Sequence, residues 1–117
     1  MVKDVVRIDG TSFGSIIVDG KHYPHDVWIF TDGSIKRRDR NHEVTLGELD
    51  LLSEGKPEVV VVGTGQSDCV RIDEDAAREA SKRGIKMISD ATPNALKRYN
   101  EAANAGRRVA GTFHVTC

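Results

Sequence analysis

Val59, Val60, Val61 and Val62 stand in an unbroken run between Pro57-Glu58 and Gly63-Thr64-Gly65-Gln66. Four β-branched residues with no polar alternation suit a strand that is covered on both faces. Helices packed on the two faces of a sheet are the usual cover. Gly63 and Gly65 then allow the backbone to turn sharply with no Cβ in the way. In open α/β sheets, ligand crevices lie just past such strand ends. The run therefore fixes a fold class and locates a candidate site without naming a reaction.

The rest of the chain fits around it. Residues 12–18 are expected as a strand, with a hairpin turn at Asp19-Gly20 and a partner over 21–30. Pro24 interrupts that partner or puts it at an edge. Asp32-Gly33 is a second turn signal, before a short strand at 34–38. Thr45 and Glu48 have capping-box spacing at the start of a first helix. Its apolar stripe is Leu46, Leu49, Leu51 and Leu52. Gly55 and Pro57 end it. A second helix over 73–83 starts with Asp73, Glu74 and Asp75 at the positive end of its dipole. It is expected to bury Ala76, Ala77 and Ala80. A strand at 85–89 follows. Thr92 then caps a third helix, with Pro93 at its first position, and a last strand spans 108–115. Strand, helix, strand, helix, strand predicts a parallel core with right-handed crossovers. The expected architecture is α/β: a three-layer α/β/α sandwich over one domain, 1–117. Its mixed sheet has a parallel core and an N-terminal antiparallel hairpin that extends or covers one edge.

Composition narrows the function classes. The chain has 117 residues, enough for one hydrophobic core, and a formal net charge of -1. That balance argues against a general nucleic-acid binder with a broad basic face, so no nucleic-acid partner is expected. No apolar run approaches the roughly 20 residues that cross a bilayer, so no membrane partner is expected. Met1-Val2-Lys3-Asp4 has no signal-peptide character, which makes the cytoplasm the expected location. Cys69 and Cys117 are isolated and form no disulfide framework. Cys69 is expected to be a small buried residue.

The candidate ligand crevice comprises Gly63, Thr64, Gly65, Gln66, Asp68, Asp90, Thr92 and Asn94. It would form where the loops after two parallel strands face each other. It offers hydrogen-bonding groups but no nucleophile-base pair, so no catalytic residue is assigned. The glycine loop lacks the third glycine of a dinucleotide fingerprint and the Lys-Ser/Thr of a P-loop. The simpler reading is that Asp90 and Thr92 only cap a helix. His22 and His25 point to opposite faces if the segment is a strand, so neither a metal nor a cofactor is expected. The basic run Lys36-Arg37-Arg38-Asp39-Arg40 suits a solvated turn. Trp28 and Phe30 either fill the core beneath the first helix or remain partly exposed and draw a second copy into a two-fold dimer.

Several motifs recur in a fixed order. They are Pro57-Glu58, Gly63-Thr64-Gly65, Arg83-Gly84-Ile85 and Asp90-Ala91-Thr92-Pro93-Asn94-Ala95, with Ser12-Phe13-Gly14 and Tyr23 near the front. In these the chain resembles the small Mth938-like domains of unknown function. Relatives of that family include a mitochondrial complex I assembly factor and an adipogenesis-associated protein. The resemblance implies a compact three-layer α/β fold and no established catalysis. It supplies no catalytic residues. It is consistent with an uncharacterised, non-catalytic binding or assembly module with an unknown protein partner. The alternative is a small-molecule-binding protein or minor enzyme using the strand-end crevice.

Overall fold

The computed structural model describes residues 6–117. The segment Met1-Val2-Lys3-Asp4, read above for targeting, lies outside them. The first six strands are β1 (Ile8–Ser12), β2 (Ser15–Val18), β3 (Lys21–Tyr23), β4 (Val27–Ile29), β5 (Ile35–Arg37) and β6 (Glu43–Val44). After them come α1 (Leu46–Ser53), β7 (Val59–Thr64), β8 (Arg71–Ile72), α2 (Glu74–Lys82), β9 (Lys86–Asp90), α3 (Thr92–Asn104) and β10 (Val109–His114).

The valine run is β7, and it lies inside a mixed sheet of order β5-β4-β10-β7-β9. β7 runs parallel to both neighbours, with Val61 opposite Gly111 on one side and Ile88 on the other. Side chains alternate across a strand, and the four valines divide accordingly. Val59 and Val61 pack with Tyr99, Phe113 and the β1–β2 residues Ile8, Ile16 and Val18. Val60 and Val62 pack with Leu49 and Leu52 of α1 and Ala76 and Ala80 of α2. Three layers result. One outer layer holds α1 and α2; the other combines α3 with a small β1-β2-β3 sheet. Burial, then the nearby Asp19 carboxylate, pushes the Tyr99 phenol well above its ordinary range, so it stays neutral in this core.

The front half departs from the sequence reading in three ways. Residues 12–18 are not one strand: the chain turns at Phe13-Gly14, where Gly14 takes φ +87°, and β1 pairs antiparallel with β2. A run of β-forming residues hid this turn, which the Gly14 conformation makes possible. Residues 21–30 divide at Pro24 into β3, in the small sheet, and β4, in the central one. The small sheet covers a face, while β4, antiparallel to β10, and β5, antiparallel to β4, extend the central sheet. Among the helices, Thr45 Oγ1 accepts from the Glu48 amide as expected. Ala77 is exposed, so Ala76 and Ala80 alone carry the buried alanine face of α2. A short parallel ladder of β6 with β8, invisible in the sequence pattern, ties the start of α1 to the start of α2.

Trp28 and Phe30 are half-buried and pack on the α1–α2 side of the sheet. Trp28 Nε1 donates to Glu48 Oε2 at 2.8 Å, which fixes the indole beneath α1.

Candidate functional site

Parallel pairing of β7 and β9 brings the loop after Gly63 and the loop after Asp90 to the same end of the sheet. The Thr92 amide donates to Gly65 O at 2.9 Å, and the Gly65 amide donates to Thr92 Oγ1 at 2.9 Å. The groups gathered there are bonded mainly to each other. Thr64 Oγ1 donates to the Asp90 carbonyl at 3.0 Å and also bonds Asp68. Thr92 is fully buried and donates to the His114 carbonyl at 2.6 Å. It sits inside the first turn of α3 rather than capping it; Ala91 is the N-cap residue. Asp90 Oδ1 accepts from the Ala91 amide. The Gln66 amide nitrogen reaches away to Thr11 Oγ1 at 3.0 Å and Ser12 O at 3.3 Å. Asn94 is exposed.

The two glycines answer to the chain's own packing. A Cβ on Gly63 would lie 2.8 Å from both Phe113 Cδ1 and Thr92 Oγ1. Gly65 takes φ +105°, and a Cβ there would meet the Cys117 carbonyl oxygen at 2.6 Å. Thr92 links this region together. Thr92→Val is expected to cost about 2 kcal/mol, because it removes both hydroxyl bonds without changing the volume. Urea midpoints should show this loss while exposed Asn94→Ala stays near wild type; equal midpoints would refute the linking role.

A second constellation escaped the sequence reading. Arg38 is not part of a solvated turn: it is 3% exposed, and all five of its guanidinium N–H groups are used. Nε donates to Glu48 Oε2 at 2.7 Å, and one terminal nitrogen donates to Asp26 Oδ2 at 2.9 Å. Glu48 turns inward instead of returning to Thr45, and it also accepts from Trp28 and from Thr112 Oγ1. Asp26 holds the Val115 amide and His114 Nδ1, the latter at 2.7 Å. His114 Nε2 lies 3.2 Å from Thr116 Oγ1. Buried charge is tolerated where it is paired and hydrogen-bonded. Asp26 stands just before β4, Arg38 just after β5, Glu48 in α1 and His114 at the end of β10, so no local spacing announces them. Among the described residues, no group of three or more His, Cys, Asp or Glu side chains is placed to share a metal ion.

The cysteines also pair. Cys69 and Cys117 form a disulfide, with Cα atoms 6.0 Å apart. The expectation of two isolated thiols is corrected by the β7–β10 register, which places Thr64 beside His114 and so brings both following segments to one end. The Gln66 and Ser67 amides donate to Thr116 O and Cys117 O, so backbone bonds accompany the bridge.

Comparisons agree with this architecture. The family model described as "Protein of unknown function (DUF498/DUF598)" matches residues 8–114. The solved structure MT938 is 30% identical, with a TM-score of 0.83 over 97% of this chain and 100% of that one. A conserved hypothetical protein from Pyrococcus horikoshii OT3 is 27% identical, with a TM-score of 0.85 over 95% of this chain and 99% of that one. A Mth938-like domain from Bordetella pertussis shares the fold at 16% identity, with a TM-score of 0.68 over 98% of this chain and 89% of that one. With nearly the whole chain matched and the same mixed α/β architecture, this protein belongs to the DUF498/DUF598 family of Mth938-like domains, a family of unknown function.

Proposed function

We propose that the chain is a non-catalytic binding or assembly module that presents its β1–β2 hairpin to a protein partner. One observation carries this reading. Phe13, at the hairpin tip, is 72% exposed, and Ile17 on the same hairpin is also exposed. Phe is enriched at protein–protein interfaces relative to the rest of the surface. The hairpin is braced for such a role: the Gly14 amide donates to Val115 O at 2.8 Å, and Gln66 holds Thr11 and Ser12. The self-bonded polar groups at the strand ends favour this reading over a small-molecule crevice built from Thr64, Asp68 and Thr92.

Partner capture from cells of the source organism tests it with three baits: wild type, Phe13→Ser and Lys97→Ser. Proteins retained by wild type and Lys97→Ser but lost by Phe13→Ser support the hairpin. Identical sets on all three refute it. Both substitutions are on the surface and should change stability by less than about 0.5 kcal/mol. A homodimer is one form of the proposal. Light scattering over a concentration series would then show a dimer mass that Phe13→Ser abolishes. Among the described residues no helix is long and apolar enough to cross a membrane. We place the module in the cytoplasm. Cell fractionation is the direct check; recovery of the protein outside the cytosolic fraction would overturn the assignment.

A further inference from the structure

We infer that the cleft beside the hairpin binds a small anionic ligand through a carboxylate or phosphate group. The cleft holds about 400 Å³, within the range of small-molecule sites. Its walls include His25, Asp26, Arg37, Arg38, Arg40 and Thr116. The inference rests on how the charges divide. Asp26 and Arg38 are buried and committed to each other, to Glu48 and to His114. Arg38 has no free donor, and both Asp26 oxygens already accept bonds. This pair is a wall held in place by its own hydrogen bonds.

Arg37 and Arg40 differ from Arg38. Both are exposed, and among the described residues neither forms an ion pair. They add two positive charges to the rim of a concave surface whose buried wall has its donors and acceptors already engaged. Such a geometry focuses positive potential into the cleft. Guanidinium groups match the planar fork of a carboxylate or the oxygens of a phosphate. Thr116 is half-buried, and His114 orients its hydroxyl from beneath. It gives an approaching polar ligand a fixed hydrogen-bonding wall. The His25 ring is anchored through Nδ1 to the Asp26 carbonyl at 2.8 Å, which leaves Nε2 as its second polar edge.

The site lies past the carboxyl end of β10, beyond the strand end at His114. Ligands of open α/β sheets favour that end. The volume favours a small anion over an acidic protein segment, and the two can be separated directly.

The test is an amide NMR titration of the intact protein with inorganic phosphate, citrate and a hexaglutamate peptide, with ionic strength held constant using chloride. Saturable shifts confined to Gly14, His25, 37–40 and Thr116 on adding phosphate or citrate are expected. Arg37→Gln/Arg40→Gln should weaken that binding by about fivefold or more. A Lys97→Gln/Arg98→Gln control on exposed α3 positions should not weaken it. Phe13→Ser should also bind normally, which separates this site from the hairpin reading. Non-saturating shifts scattered over basic residues would overturn the proposal, as would binding indifferent to the double variant. Saturation by hexaglutamate alone would overturn it in favour of an acidic protein partner.

Discussion

Arg38→Met is expected to lower the unfolding free energy by about 3–5 kcal/mol, the usual loss when one member of a buried ion pair is removed. Methionine can replace much of the side-chain volume, so the loss reports electrostatics more than a cavity. Asp26 would keep His114 and the Val115 amide; Glu48 would keep Trp28 and Thr112. Neither would keep the cation that offsets its charge in a site only a few per cent exposed. Adding Asp26→Asn and Glu48→Gln should recover part of the loss, because the uncompensated charges then disappear. Arg37→Met, one residue away but exposed, should stay within about 0.5 kcal/mol of wild type. Urea midpoints at unchanged slope measure all three. An Arg38→Met midpoint equal to that of Arg37→Met would refute the buried network.

The second large effect is expected on reduction. The Cys69–Cys117 bridge closes a sequence separation of 48 residues. The chain-entropy relation gives about 4 kcal/mol for a loop of that size, a large share of the total stability of a small domain. Denaturation with and without a thiol reductant should show it, and Cys69→Ser/Cys117→Ser should match the reduced protein. The loss should also be local in the native state. The Gln66 and Ser67 amides, bonded to Thr116 O and Cys117 O, should exchange faster on reduction. Amides of Val60 and Val62 should stay among the slowest. Coincident unfolding curves for the oxidised and reduced protein would exclude a stabilising bridge.

Much of the fold was readable because its signals are local. Four valines without alternation announced a strand covered on both faces, and β7 has a layer on each side. Thr45 announced the start of α1, and the strand-helix alternation announced a parallel core. The turn at Phe13-Gly14 was hidden because its flanking residues continue a strand-like pattern. The burial of Arg38 is hidden for a different reason. Within Lys36-Arg37-Arg38-Asp39-Arg40 its neighbours are solvated, and its burial depends on Asp26 and Glu48, which the sequence separates. Glu48 had a good local explanation as a capping residue, and a tertiary partner displaced it. The parallel pairing of β7 with β9 brings Gly65 and Thr92 to one strand end, but the hydrogen bonds made there depend on three-dimensional distances. Those of Thr92 to Gly65 and His114 are the clearest case.

The sheet order β5-β4-β10-β7-β9 has a consequence for how the molecule comes apart. β10 is the only described strand bonded to both halves of that sheet, antiparallel to β4 and parallel to β7. Without residues 109–114, the front pair β4–β5 and the back pair β7–β9 would share no ladder. The N-terminal strands and the valine strand, far apart along the chain, are therefore joined through a segment that is made after both. A local opening of β10 cannot remain local: it cuts the central sheet in two and bares Val61 and Phe113 together. The domain should accordingly lose its front and back halves in one step, with no stable half-molecule between native and unfolded.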